Sequence, residues 1–204
     1  MKFLRNSFAF SIAIFLLAGC ASLVPPISSK NDPLNQTNTD DTGVWVNTDC
    51  VGEIEPTPDG LKEVIYEPLL KMAIGADQEG KLCDGKVFDI ANPVRVYRVW
   101  SSAKPYTAFG SWWSFGVPTG TKESYGKENN ICPEWSALDI VHSCLLKVGG
   151  RIVVGTGQSA KCENGVLHKT PINQIFVPND TRNNVLLVDN CSDAEPWPKT
   201  TLGE

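Results

Sequence analysis

Six cysteines spread between positions 50 and 191 constrain the fold of this chain more than any other feature. The chain has 204 residues and seven cysteines in all, one of them near the N-terminus. An even number of cysteines in an exported protein is typical of disulfide bonds, because the compartment outside the cytoplasm is oxidising. We therefore predict three disulfides, in a pairing that the spacing does not select, among Cys50, Cys83, Cys132, Cys144, Cys162 and Cys191.

A structural zinc site is the alternative use of these cysteines, and their spacing does not favour it. Zinc sites need close ligands such as C-x-x-C with a histidine nearby. The closest two of the six cysteines are Cys132 and Cys144, and the two histidines, His142 and His168, are isolated. We predict no metal site and no cysteine nucleophile, and we expect His142 to be a structural residue in a strand.

The N-terminus predicts export. Two basic residues precede an apolar run over residues 8–17, which is too short to span a membrane and is typical of a signal peptide. The Leu-Ala-Gly-Cys segment at 17–20 resembles the bacterial lipobox. The resemblance implies that residues 1–19 are a signal peptide and that the Cys20 thiol, as the nucleophile, accepts lipid such as palmitate.

A lipobox implies an envelope protein anchored to the membrane through Cys20. Residues 20–43 are polar and lack apolar periodicity, so they cannot bury enough surface to become ordered and are predicted to form a flexible tether. Residues 44–204 are predicted to form one disulfide-stapled globular domain. Ala21 favours the outer membrane by resemblance to the enterobacterial sorting pattern, while the periplasmic or surface side stays open.

The charge balance excludes one class of partner. The chain carries 18 Lys and Arg against 23 Asp and Glu, for a net charge of −5. A nucleic-acid binder needs clustered basic residues to neutralise phosphates, and the sequence has no such cluster. Nucleic acid is therefore not a predicted partner. The membrane, through Cys20, is one predicted partner, another envelope protein is a second candidate, and the resemblance described below implies a small-molecule nucleotide.

Hydrophobic periodicity predicts an α+β domain with short N-terminal helices and a mainly antiparallel or mixed β-sheet. Residues 61–75 carry a helical apolar stripe that Pro68 interrupts. Because proline is tolerated only in the first turn of a helix, one helix is expected to end near Tyr66 and a second to begin at Pro68. Apolar runs predict strands over residues 43–47, 94–100, 174–177 and 184–188.

A glycine pair predicts a β-hairpin late in the chain. Gly149 and Gly150 separate two apolar runs, residues 139–148 and 151–154. Two residues that tolerate positive φ between two such runs are a strong hairpin signal. These runs are therefore expected to pair with each other.

An aromatic cluster is the most unusual feature of the domain. Residues 97–115 contain seven aromatic side chains, and core packing is one explanation, since aromatic residues bury large areas. However, neighbours on a strand point to opposite faces, so Trp112 and Trp113 cannot both point inward. At least one of the two is expected to face outward or to line a cleft, where it could stack on a ligand.

Residues of this region follow the order of a known domain. In chain order they are Arg98, Gly-Ser-Trp-Trp-Ser-Phe at 110–115, Pro118, Tyr125, Ile-Cys-Pro at 131–133, Val-Val-Gly-Thr-Gly at 153–157, and Gln174. This order resembles the tuberculosis necrotizing toxin family of NAD glycohydrolases. The resemblance covers residues 94–178 and rests on short elements in the right order.

The resemblance implies a domain that cleaves NAD as its substrate and carries no cofactor. Arg98 would bind the pyrophosphate through charge-assisted hydrogen bonds, and Gln174 would position the scissile N-glycosidic bond or the attacking water. These two are the predicted catalytic residues. Lys127 lies near the place of a second arginine of the family, where it would act as a point charge. The predicted substrate-binding residues are Ser111, Trp113, Phe115 and Lys127.

Two functions without catalysis stay open beside a possible NAD glycohydrolase. The first is a lipoprotein that uses its aromatic cluster to bind a glycan or a protein partner. The second is an inhibitor or immunity lipoprotein that caps the site of a partner, for which acidic charge and disulfide rigidity are suitable. The sequence does not decide whether the protein is an enzyme, and NAD cleavage is the most concrete of the three hypotheses.

The lipobox makes Cys20 the expected site of acylation. Cells that express the full-length chain and are fed labelled palmitate should label the wild type and not Cys20→Ser, because the hydroxyl is not nucleophilic enough to accept the lipid. Cys191→Ser is the control and should keep the label. Equal labelling of wild type and Cys20→Ser would contradict the prediction.

Overall fold

The structure is a computed structural model that describes residues 49–198. The predicted signal peptide at 1–19, the tether at 20–43 and the strand at 43–47 lie outside the described residues. Within the described part, no helix is both long and apolar enough to cross a membrane.

The described chain is rich in β-structure. Its two helices are α1 (Glu67–Ala73) and α2 (Lys122–Glu128). A short 3-10 turn covers Pro105–Thr107. The strands are β1 (Leu61–Val64), β2 (Lys86–Ile90), β3 (Arg95–Trp100), β4 (Trp112–Trp113), β5 (Ile140–Leu146), β6 (Arg151–Gly157), β7 (Ala160–Cys162), β8 (Gly165–Leu167), β9 (Thr170–Phe176), β10 (Val188–Asp189) and β11 (Glu195–Pro196).

Two antiparallel sheets make up the body of the domain. The larger has the order β1-β2-β6-β9-β4, and in the smaller β5 pairs with β3, β10 and β11. Strands β7 and β8 form a separate hairpin. The prediction of a disulfide-stapled α+β domain with antiparallel sheets is confirmed at this level.

Alternation along β6 places the core on both faces of the larger sheet. Ile152 and Val154 point into a cluster that also holds Val96 of β3 and Leu146 of β5, which joins the two sheets. Val153 points to the opposite face, where a second cluster packs under α1. Because successive strand residues face opposite sides, one apolar run supplies both layers.

The expectation of two short N-terminal helices is wrong for the first. Residues 61–64 form β1, which pairs with β2 in register Leu61↔Ile90 and Val64↔Val87. A pattern of only four residues fits the period of a helix as well as that of a strand. Here the packing against β2 favours the strand. The second expectation holds, because α1 begins at Glu67 and carries Pro68 in its first turn.

The expected hairpin around Gly149 and Gly150 is also wrong. The glycines do form a turn, with Gly149 at φ +84°, but the strands on either side do not pair with each other. Strand β5 pairs with β3 and strand β6 pairs with β2 and β9. The turn therefore carries the chain from one sheet to the other, because each flanking strand finds its partner far away in the sequence.

Three disulfides close the domain, as predicted. Each joins segments that are at least 30 positions apart. Such bonds stabilise a fold chiefly by restricting the unfolded chain, and more so for longer loops. The pairs are Cys50–Cys83, Cys132–Cys162 and Cys144–Cys191.

The bond between Cys144 and Cys191 closes the longest loop, of 47 positions. Replacing both cysteines by alanine should lower the free energy of unfolding by about 4 kcal/mol, measured by urea denaturation without reductant. Cys191→Ala alone should give nearly the same loss, because it breaks the same bond while keeping the buried Cys144 sulfur. A loss below about 1 kcal/mol in the double variant would count against the loop-closure account.

Candidate functional site

One cleft collects three of the residues that the sequence analysis singled out. It lies where β3, β4 and β9 meet the segment that follows α2, and its volume is about 190 Å³. We call it the Arg98 cleft. Its lining consists of Lys81, Arg98, Val99, Thr107, Trp112, Trp113, Tyr125, Asn129, Asn130, Ile131, Trp135, Ser136, Leu138 and Gln174.

The lining of the Arg98 cleft is cationic and aromatic. Lys81 and Arg98 contribute two positive charges, and the lining contains no Asp or Glu, although the whole chain has a net charge of −5. The half-buried Trp112 and the exposed Trp135 supply flat apolar surface, and Trp113 lies behind it in the core between the sheets. A positive potential with flat walls suits an anionic ligand that carries aromatic rings.

Arg98 is buried and bonded to main-chain oxygens. Its Nε donates to the Thr107 carbonyl at 2.8 Å, its Nη1 donates to the Trp112 carbonyl, and its guanidinium lies 6.0 Å from the Trp113 ring centroid. Burial lowers the pKa of Arg98 to about 10, against the opposing influence of Tyr125. The side chain therefore keeps its charge at neutral pH.

Gly110 explains why the predicted motif begins with glycine. A Cβ atom at this position would lie only 2.3 Å from Nη2 of Arg98, so only glycine lets the chain pass the guanidinium. The Gly110 carbonyl also accepts a hydrogen bond from Nε1 of Trp113 at 2.8 Å. The glycine thus joins the cation and the tryptophan in one fixed arrangement.

Gln174 reaches the Arg98 cleft from β9. Its backbone pairs with Gly155 of β6, and the residue is only 7% exposed. Nε2 donates to the Asn129 carbonyl at 3.1 Å, which fixes the plane of the amide. Among residues 49–198, no group donates to the Gln174 Oε1, so this oxygen is available as an acceptor.

A polar network supports that amide. Asn130, in left-handed conformation at φ +52°, donates from Nδ2 to the His168 carbonyl at 2.7 Å and accepts from Thr170 Oγ1 at 3.0 Å. Gly157 lies beneath it, and a Cβ there would stand 2.2 Å from Asn130 Oδ1 and 3.0 Å from Gln174 Nε2. The glycine therefore makes room for the network that holds Gln174.

His142 lies behind the Arg98 cleft. Its Nδ1 accepts a hydrogen bond from Trp100 Nε1 at 3.0 Å, and its ring packs near those of Phe109 and Trp113. Burial and then the charge of Arg98 lower the pKa of His142 to about 4. Its Nε2 has no partner within the described part of the chain. The imidazole is neutral and packs as a strand residue, in line with the structural role expected of it.

The structure brings together three of the residues that the resemblance selected. Arg98, Trp113 and Gln174 all line the Arg98 cleft, whereas the other three do not. Phe115 borders a separate cavity and packs against the core between the sheets. The Ser111 carbonyl accepts a hydrogen bond from the backbone N–H of Val177, the residue after β9, at 2.8 Å. Lys127 pairs with an acidic neighbour, as described below.

Sequence reasoning missed part of the lining. Asn129 and Asn130 follow α2 directly, and asparagine after a helix is a known signal for a left-handed terminating residue. That signal could have placed a turn there, though not an amide network. Lys81 and Trp135 carry no local signal, because only the fold brings them to the Arg98 cleft.

One grouping of metal-ligating residue types occurs among residues 49–198. It consists of Cys132, Glu134 and Cys162. The two cysteines form a disulfide with each other, so they offer no thiolate to a metal ion.

Comparisons of the chain with protein-family models, with curated proteins and with solved structures find no match. The geometry and chemistry of the Arg98 cleft therefore carry the functional conclusion.

The lowered pKa of His142 predicts acid sensitivity. Its ordinary value is 6.5 and its folded value about 4, so between these pH values the unfolded chain binds a proton that the folded chain does not. The free energy of unfolding should fall as pH decreases through this window. His142→Gln should flatten that slope in urea denaturations at pH 7, 5.5 and 4.5.

The matched control for this measurement is the same substitution at the exposed His168. An identical slope in wild type and His142→Gln would show that His142 does not contribute to the pH dependence.

Proposed function

We propose that the protein hydrolyses the nicotinamide–ribose bond of NAD⁺. The observation that supports it is the convergence of Arg98, Trp113 and Gln174, which come from three separate strands, on one cleft. The resemblance pointed to these residues from their order in the sequence, without knowledge of their distance in space. The other three residues that the resemblance selected do not line this cleft.

The ligand class follows from the lining. NAD⁺ combines two ring systems with a pyrophosphate, and the Arg98 cleft offers tryptophan faces beside Lys81 and Arg98. Aromatic faces stack on flat rings, and cations attract phosphate. A neutral glycan would gain nothing from the two positive charges.

The reaction requires no strong base. A water oxygen bonds to C1′ of the ribose while the C1′–N bond breaks, and the electron pair of that bond leaves with nicotinamide, which departs as a neutral molecule. The water gives up one proton, so the products are nicotinamide, ADP-ribose and H⁺. Such a step needs positioning and stabilisation of an oxocarbenium-like state more than proton transfer.

Gln174 suits the positioning role. Its amide is held by the Asn129 carbonyl through Nε2, so Oε1 lies in a fixed plane and can accept from a ribose hydroxyl or from the attacking water. Trp113, whose Nε1 is bonded to Gly110, is only 3% exposed and fixes the wall of the cleft, so the ring surface for nicotinamide comes from the more exposed Trp112 and Trp135. Both residues act through geometry fixed before the ligand arrives.

We also propose that the enzyme is a lipoprotein of the cell envelope, held at the outer membrane through Cys20. The three disulfides support an oxidising compartment. Lipid on one sulfur would keep the domain near its membrane while leaving the Arg98 cleft free to meet soluble ligand.

Incubation of the purified full-length protein with NAD⁺ tests the reaction by release of nicotinamide. Gln174→Ala should lower kcat/KM by about 100-fold or more, because the amide that positions the reacting groups is lost. Gln78→Ala, at an exposed glutamine outside the lining, is the matched control and should keep the wild-type rate. Absence of release by the folded wild type would end the proposal.

A second candidate function is binding without catalysis. Tyr106 is 74% exposed and Trp135 is 43% exposed. The segments that carry them are joined beside the Arg98 cleft by Lys104, whose Nζ donates to the Trp135 carbonyl at 3.0 Å. Two exposed aromatic side chains beside a cleft suit a glycan or a protein partner. A shift of tryptophan fluorescence with cell-wall fragments, in a protein that releases no nicotinamide, would favour this function.

A further inference from the structure

We infer that Lys81 is the residue that binds the phosphate groups of the ligand in the Arg98 cleft. The inference rests on the proposed function, since it concerns the nucleotide that this function requires. Lys81 precedes the region of resemblance at 94–178, so no motif pointed to it. Its place in the lining comes from the fold alone.

The backbone of Lys81 is held firmly at the edge of the Arg98 cleft. Its carbonyl accepts from the Gln158 backbone at 3.0 Å, and the next residue, Leu82, donates to the Ala73 carbonyl at 3.1 Å. Cys83, two residues after Lys81, forms a disulfide with Cys50. Lys81 itself has φ +67°, a conformation that residues with a Cβ seldom adopt and that these contacts maintain.

The side chain of Lys81 is free to meet a ligand. The ion pairs formed within residues 49–198 use Lys86, Lys127 and Arg151, and none of them involves Lys81. Lys127, the cation expected from the resemblance, pairs with Glu123 at 2.7 Å on the exposed side of α2 and does not line the Arg98 cleft. Neither cation of the Arg98 cleft forms an ion pair within residues 49–198. Arg98 donates to two main-chain carbonyls, so Lys81 is the cation that is free to turn toward a ligand.

Arg98 cannot easily take the same role. Two of its nitrogens donate to the Thr107 and Trp112 carbonyls, and it is buried, so its position is committed to the protein. Lys81 is exposed and carries three rotatable donors on a flexible stem, which suits a phosphate as a point charge. Arg98 supplies a fixed positive potential, and Lys81 supplies the direct contact.

The test is equilibrium dialysis of the purified full-length protein with labelled ADP, which carries a pyrophosphate, and with adenosine, which carries none. Lys81→Gln should weaken ADP binding by about tenfold, as expected for loss of a charge-assisted bond, and leave adenosine binding unchanged. Lys81→Arg should keep ADP affinity within a few-fold of wild type. Lys86→Gln is the matched control outside the Arg98 cleft and should bind ADP like wild type.

Added salt provides a second readout. It should weaken ADP binding to wild type more than to Lys81→Gln, because an exposed ionic contact is screened. ADP binding that is equal in wild type and folded Lys81→Gln would overturn the inference. Failure of the wild type to bind ADP would overturn it as well.

The two proposals fail in different ways. If ADP binding depends on Lys81 and the wild type releases no nicotinamide from NAD⁺, the proposed reaction is wrong and the phosphate site stands. If the wild type cleaves NAD⁺ and Lys81→Gln keeps the wild-type KM, the reaction stands and the role of Lys81 is wrong. Nicotinamide riboside, which lacks the pyrophosphate, should be cleaved equally by wild type and Lys81→Gln.

Discussion

The candidate site depends on a guanidinium that the domain buries. A buried charge is costly unless hydrogen bonds replace the water that it loses, and Arg98 receives them from the carbonyls of Thr107 and Trp112. Those bonds bend the segment between the two residues around the cation, and Gly110 is the position at which the bend leaves no room for a side chain. The wall of the Arg98 cleft is thus built around one charge.

The opposite wall depends on polar contacts between segments distant in sequence. Asn130, which follows α2, meets Thr170 of β9 and lies over Gly157 of β6, so the helix end and the larger sheet hold each other in place. Disulfides close to this region join Cys132 to Cys162 and Cys50 to Cys83. A rigid frame of this kind holds Gln174 and Lys81 in position before a ligand binds, which is what a positioning mechanism needs.

Local patterns predicted the parts of the fold that local forces decide. The alternation over residues 94–100 corresponds to β3, and the proline rule located α1. Where two periods fit equally, as at residues 61–64, pairing with a distant strand decided between them. Similarly, Gly149 and Gly150 do form a turn, but the strands beside it pair elsewhere, and no local signal records which partner a strand will find.

The sequence by itself predicted three disulfides and an α+β domain with a mainly antiparallel or mixed sheet, and the order of its motifs selected six residues, of which Arg98, Trp113 and Gln174 line one cleft. Tertiary structure alone decided the disulfide pairing, the division of the strands into two sheets and the entry of Lys81 and Asn130 into the Arg98 cleft. The physical reason is that residue type and spacing set local conformation, whereas long-range packing and backbone pairing set which side chains meet. The lining and the charge of a cleft therefore depend on side chains that only the folded chain brings together.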